Sequence, residues 1–449
     1  MPATVDATES PTRTTPLPFD PAEVAGRFGT PTYLYNAATI HARIDDLQRD
    51  GVTIRYAQKA NSNLAILDLM RRRGVEVDAV TAGEIHRALT AGYPPEEVVF
   101  TADLLDRRAL AAVAEHRCPV NCGSADMIPQ LAAAGLHDTP VTLRLNPGFG
   151  HGHSRKVNTG GTSSKHGIWH TQLSDVLNLA RESGIAVHGL HMHIGSGADF
   201  DHLADVCGAM EAAARTFVDH PAGNSGLHVI SSGGGLPIDY HRHTRADSEA
   251  ERFDTARFLD MWLACRDRIR ALAGDQVGLE VEPGRFLVAE SGYLLTEVRA
   301  VKRQGGNGGG NGGGDGGGDG MNYTLIDAGF NDLVRPSFYG AHHHISIHPT
   351  DGSSASTGAD PTAVAGPLCE SCDVFTQEED GTVTTRDLPP ATPGDLLVLH
   401  DAGAYGFAMA SNYNSRCLPA ELLLHNNQLH EIRRRQTVDD LVALESMPA

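Results

Sequence analysis

Eight short runs that read as strands alternate with helix-patterned stretches through the first two-thirds of the chain. That alternation constrains the fold more than any other feature of the sequence. The strand candidates are 52–59, 75–80, 98–101, 119–122, 141–146, 186–193, 227–232 and 278–283. Helical periodicity fills the intervals, for example at 63–73, 82–91, 172–183, 202–220 and 254–272. Repeated βα units predict a parallel sheet, and eight of them predict closure into a (β/α)8 TIM barrel. An open doubly wound sheet is the competing architecture, but no GxGxxG turn follows the first strand.

Beyond residue 290 the pattern changes to short β-type runs between Gly, Pro and Asp turns, which predicts a second, mostly antiparallel β domain. The early segment 32–35 is expected to pair with it. The domain reading is therefore a barrel over 37–290, a β domain from 20–36 plus 291–449, and a leader at 1–19. Within the β domain, 305–320 contains only Gly, Asn and Asp. Its spacing does not fit nonapeptide calcium repeats, and it reads as a flexible hairpin insertion.

Composition narrows the function classes. With 449 residues, 41% of them hydrophobic, the chain can bury a large core and is too long for one ordinary domain. A net charge of −20 argues against a nucleic-acid partner. No apolar run approaches the ~20 residues of a membrane span. The N-terminal stretch lacks the basic start and apolar centre of a signal peptide. Seven cysteines, an odd number, do not suggest a disulfide framework, so a cytoplasmic location is expected.

The strand ends carry the candidate chemistry. Lys59 follows the first apolar run, where burial would remove hydration from its ammonium and favour the nucleophilic amine. The strand near 186–193 ends in His191-Met192-His193-Ile194-Gly195-Ser196-Gly197. The next ends in Gly233-Gly234-Gly235 and the last in Glu282-Pro283-Gly284-Arg285. In a barrel these ends share one face. Glycine-rich backbone suits a phosphate, and an arginine can add a bidentate clamp. A lysine for a Schiff base and an acid for a pyridinium nitrogen complete the needs of pyridoxal 5'-phosphate (PLP). An adjacent Glu282 would keep the ring nitrogen protonated by charge pairing. Zinc held by His191 and His193 is the weaker rival, since His342-His343-His344 supplies no third-ligand signature.

With these motifs in order, the chain resembles the fold-type III PLP decarboxylases, and among them the bacterial diaminopimelate decarboxylases. The resemblance runs from about Asp20 to Glu445. It is carried by Tyr56-Ala57-Gln58-Lys59-Ala60, Asn146-Pro147-Gly148-Phe149-Gly150-His151-Gly152-His153, His193–Ser196, Gly233–Gly235 and Glu282–Arg285. In the C-terminal part it rests on Asp327–Tyr339, Cys369-Glu370-Ser371-Cys372-Asp373 and Gly403-Ala404-Tyr405. It implies a barrel of the alanine-racemase type with a C-terminal β-sandwich or β-barrel domain.

The resemblance also implies roles. Lys59 would hold PLP covalently, His193 would stack on its ring and Glu282 would pair with the ring nitrogen. Ser196, Gly234, Gly235, Gly284 and Arg285 would bind phosphate, with Tyr405 near both phosphate and substrate. Cys369 and Glu370 would enter the site of a second subunit, making a homodimer with shared sites, and Cys369 would return the proton after carbon dioxide leaves. A thiol with an unperturbed pKa near ~8.5 suits that task. The family more often has glycine at 372 and tyrosine at 342. The segment Ser164-Lys165-His166-Gly167 also matches the family and receives no role.

Substrate choice follows from charge. Ornithine or lysine presents a distal cation, whereas meso-diaminopimelate presents a second carboxylate and amine. Arg335, Tyr339 and Arg285 suit the distal carboxylate and Glu370 the amine; a buried arginine would repel a bare ammonium tail. The expected reaction is conversion of meso-2,6-diaminopimelate to L-lysine and carbon dioxide. The alternatives are decarboxylation of another amino acid and a PLP-binding regulatory protein without turnover.

Overall fold

The computed structural model describes residues 16–150, 160–195, 197, 199–244, 252–303, 320–351 and 358–448. Residues 1–15 of the leader, His151 to His153, Ser196 and 305–319 of the glycine-rich segment lie outside the described residues. The chain divides into two units, Ile40–Ile238 with Phe253–Val288, and Met1–Thr39 with Asp239–Arg252 and Ala289–Ala449.

The first unit is a closed barrel of eight parallel strands: Val52–Ala57, Glu76–Ala79, Val98–Ala102, Val120–Cys122, Val141–Asn146, Val187–Met192, Val229–Ser231 and Gly278–Val281. The first and last strands pair through Ile54↔Val281, which closes the ring. A two-residue strand, Ile168–Trp169, adds to Val141–Asn146 outside the ring. Several of the helices that follow the strands are set by local caps. Asn63 accepts from the Ala65 amide to start Leu64–Arg72, Thr81 from Glu84 to start Ala82–Thr90, and Asp199 from His202 to start Phe200–Asp219. Each helix turns an apolar stripe inward, such as Ile66, Leu67, Leu69 and Met70. Each such side chain contributes about 1.5–3 kcal/mol of burial energy.

The first strand stops earlier than the sequence pattern predicts. Val52–Ala57 gives way to a single 3-10 turn, Gln58–Ala60, so Lys59 lies beyond the strand and not on it. The Ala57 amide pairs with the Pro283 carbonyl, and the Tyr56 hydroxyl donates to the Asn61 carbonyl at 2.9 Å. These bonds turn the chain over the strand end.

The second unit is a nine-stranded sheet with the order Arg386–Leu388, Asp360–Ala365, Tyr323–Ile326, Gly292–Lys302, Thr32–Asn36, Ala420–His425 and Gln428–Arg433; Leu396–Leu399 joins from Gly292–Lys302 and carries Ile345–His348. Most pairs are antiparallel. Thr32–Asn36 runs parallel to Ala420–His425, and Tyr323–Ile326 parallel to Asp360–Ala365. Val24, Leu34, Leu295, Leu396, Val398 and Leu422 form one of its cores. The segment Asp239–Arg252, inside 37–290 in the sequence reading, groups with this sheet unit. Arg242 pairs there with Glu290 and Asp401, and His243 with Asp401.

Candidate active site

Three loops at the C-terminal ends of neighbouring barrel strands interlock through close backbone approach. The Glu282 amide donates to the Gly233 carbonyl at 2.9 Å, and the Gly197 amide to the Gly235 carbonyl at 2.9 Å. A Cβ on Gly234 would come within 2.3 Å of the Glu282 carbonyl oxygen, and one on Gly235 within 2.1 Å of the Gly195 carbonyl oxygen. Gly235 also has φ +94°, a conformation side chains rarely adopt. Gly284 packs against Ala57 and Ala60, on either side of Gln58 and Lys59. Glycines at 234, 235 and 284 therefore bring the loops of His193, Glu282 and Lys59 together, and Arg285 follows half-buried.

Glu282 is buried and accepts twice. The His191 ring Nε2 lies 2.9 Å from Oε2, and the Ser231 hydroxyl 3.0 Å from Oε1. Burial pushes its carboxyl up, yet His191 and Ser231 outweigh that and bring it down to about 2. His193 is held well below the usual imidazole range by burial, with Arg144 and Lys59 acting in the same direction. It is therefore a neutral ring at pH 7, suited to lie against a flat ligand. Lys59 itself is exposed, flanked by buried Gln58 and Ala60. The buried setting expected for Lys59 is not found, because the 3-10 turn carries it past the buried strand.

Sequence reasoning missed three ionisable neighbours. Asp78, at the end of Glu76–Ala79, is buried; burial and then Glu282 raise its carboxyl to about 6, with Lys59 opposing. Glu84 is raised to about 7, chiefly by burial. Arg144, in Val141–Asn146, is buried and lowered by that burial against the pull of Asp103, Glu282 and Asp78. Asp78 and Arg144 did carry a signal in the sequence, a charge inside an otherwise largely apolar strand run. The Ser164–Gly167 segment is fastened by Asp103, which meets His166 Nδ1 at 2.5 Å and the Gly167 amide at 2.9 Å. His191 is spent on Glu282, and no group of three or more His, Cys, Asp or Glu among the described residues could hold a metal.

Comparison with known proteins assigns the chain to a family. The family described as pyridoxal-dependent decarboxylase, pyridoxal binding domain, matches residues 38–289. A diaminopimelate decarboxylase of Escherichia coli is 49% identical over 423 residues, covering 93% of this chain and 94% of that protein. The chain belongs to the diaminopimelate decarboxylase family. A crystal structure of a diaminopimelate decarboxylase superposes with TM-score 0.85 at 48% identity, covering 94% of this chain and 95% of the other. The Helicobacter pylori diaminopimelate decarboxylase in complex with L-lysine gives TM-score 0.81 at 28% identity, covering 95% and 99%.

The remaining residues expected to serve a diaminopimelate decarboxylase site lie in the sheet unit. Arg335 is buried, donates to His343 Nε2 at 2.9 Å and lies 4.8 Å from the Tyr240 ring centroid. Tyr339, half-buried, meets Phe338 edge-on at 4.7 Å. His342 stacks near His241 at 4.1 Å. Tyr405 has a left-handed backbone, φ +57°. Cys369 and Glu370 are exposed on a pinned loop. Its end is fixed by Asp373, whose carboxylate accepts from the Phe330 and Leu368 amides, both at 2.7 Å. The Cys369 amide donates to Asn414, and Tyr413 donates to the Glu370 carboxylate. Cys372 is also exposed.

Proposed function

We propose that this protein removes one carboxyl group from meso-2,6-diaminopimelate, using PLP, and releases L-lysine and carbon dioxide. The single observation that carries this reading is full-length membership of the family together with a barrel rim that fits the cofactor. The fit rests on the glycine cradle at Gly234 and Gly235, where any Cβ would strike backbone, and on a buried ionised carboxylate beside a neutral imidazole. Bound there, PLP supplies an electron sink for the pair left behind when a carboxylate departs.

The chain's residues divide the remaining work. Lys59 would hold the cofactor through its amine, which is exposed. Glu282 would pair with the cofactor's ring nitrogen, and His193 would lie against its ring. Ser196, Gly234, Gly235, Gly284, Arg285 and Tyr405 are the phosphate-side residues. Arg335, Tyr339 and Arg285 receive the distal carboxylate, and Glu370 the distal amine. Cys369 Sγ gives its proton to the carbon that lost the carboxylate. Cys369 and Glu370 do so in the site of a second copy, so the active unit is a homodimer. Their exposure on a fixed loop supports that reading.

The test is lysine and carbon dioxide formation from meso-diaminopimelate by wild type and Lys59→Ala, with ornithine and lysine as competing substrates. The wild type should act on diaminopimelate alone, and Lys59→Ala should show no measurable turnover. Full activity in Lys59→Ala would sink the mechanism. Equal turnover of ornithine would favour a different decarboxylase. Cofactor absorbance without carbon dioxide release would favour a non-catalytic binding protein.

A further inference from the structure

The HxH motif at the end of Val187–Met192 leaves one histidine unused by the function above. His191 is 1% exposed and sits beside Ser231 in the register of the two neighbouring strands. Ser231 in turn neighbours Glu280, two residues before Glu282. Three adjacent strands thus deliver His191, Ser231 and Glu282 to one spot inside the barrel. An ionised carboxylate only accepts, so the proton in the 2.9 Å contact with Glu282 is on His191 Nε2. Ser231 donates to the other oxygen and accepts from the Gly233 amide at 3.2 Å. Both carboxylate oxygens are therefore fixed, each with acceptor capacity remaining.

The other side of His191 is informative. Its Nδ1 is buried with no hydrogen-bond partner among the described residues. His191 consequently has one polar task, which is to donate to Glu282. A buried carboxylate without such donors takes up a proton. Once neutral, Glu282 could no longer hold a ring N–H by charge pairing.

We propose that His191 is a positioning residue for the cofactor's ring nitrogen, holding Glu282 ionised and in place with help from Ser231. The bound cofactor's grip on its ring proton is then set partly by a residue that acts through Glu282. His193, Asp78, Arg144 and Arg55 are the other charged or titratable groups that act on this carboxylate or on which it acts. None of them replaces the direct donation of His191. This inference rests on the PLP reading of the site.

The experiment loads the purified enzyme with PLP labelled at the ring nitrogen and reads that nitrogen's chemical shift by NMR against pH. Wild type, His191→Leu, His191→Gln, Ser231→Ala and Glu282→Gln are compared, with kcat and KM measured on the same samples. In His191→Leu the resonance should move toward the unprotonated nitrogen, and kcat should fall about tenfold or more while KM changes little. His191→Gln, which keeps a donor, should recover most of both. Ser231→Ala should move the resonance the same way by less, and it decides the matter if His191→Leu does not fold. A wild-type resonance in both His191→Leu and Ser231→Ala, with Glu282→Gln shifted, overturns this proposal and leaves the cofactor reading standing. A resonance unmoved in Glu282→Gln as well overturns the placement of the ring nitrogen beside Glu282.

Discussion

The Arg335 guanidinium donates to Nε2 of His343 at 2.9 Å, while Nδ1 of the same ring donates to the His400 carbonyl at 2.8 Å. Those two bonds fix His343 as a neutral tautomer, and burial together with Arg335 pushes its imidazole down to about 3. Tyr240 closes the guanidinium from another side through its ring face. Arg335 is thus a buried cation whose guanidinium is oriented by a neutral imidazole and an aromatic face.

The proposed role of Arg335, to receive the distal carboxylate of the substrate, is open to direct test. Arg335→Ala should cost about 2–5 kcal/mol in kcat/KM for diaminopimelate, and Arg335→Lys should restore little because it lacks the planar fork. Steady-state kinetics check this, with melting temperature as a control for folding. An unchanged preference for diaminopimelate over ornithine in Arg335→Ala would remove Arg335 from the substrate site.

Gly235→Ala should lose at least about tenfold in PLP affinity, or ~1.4 kcal/mol, since the added carbon would sit 2.1 Å from the Gly195 carbonyl oxygen at φ +94°. Gly208→Ala is the matched control. It lies within helix Phe200–Asp219 with open space at its Cβ, so it should stabilise the fold by about 0.5–1 kcal/mol. Fluorescence titration with PLP and thermal melts separate the two outcomes.

Sharing of sites between subunits predicts complementation. Lys59→Ala and Cys369→Ala should each be inactive alone. After mixing, unfolding and refolding together, about a quarter of wild-type activity should return, because half the dimers are hybrids with one intact site each. No recovery from a mixture shown to contain hybrids would mean that Cys369 serves its own subunit. Cys372→Ser should stay near wild type in the same assay.

Acid should bear on the histidines of the sheet unit in a calculable direction. His344 is lowered to about 3, by burial and by His243. A folded pKa below the unfolded value of about 6.5 means that the unfolded chain binds more protons, so this contribution is present above pH 6.5 and lost below it. Asp332 and Glu84, raised to about 7 mainly by burial, act in the opposite sense. The difference between His344→Gln and wild type isolates one histidine. The variant's relative stability should improve by about 1.4 kcal/mol per pH unit below 6.5. Denaturant melts at about pH 7.5, 6 and 5 would show a constant difference if His344 were not buried neutral.

The sequence by itself determined the barrel, the second sheet and the identity of the cofactor. Strand and helix periodicities are local, and so are the glycines and charges placed at strand ends. It missed by two residues where the first strand stops, because a hydrogen bond from Ala57 to Pro283 and the turn beside Asn61 decide that, and both depend on distant or folded-back chain. It placed Lys59 in a buried setting, whereas the fold leaves Lys59 exposed and buries Asp78 and Arg144 instead. It read His191 as a rival metal ligand, and only the register of three neighbouring strands shows that its partner is Glu282. Residue types at strand ends name the chemistry. Which of them are buried, paired and charged is a property of neighbours far apart in the chain, and the tertiary structure alone brings those neighbours together.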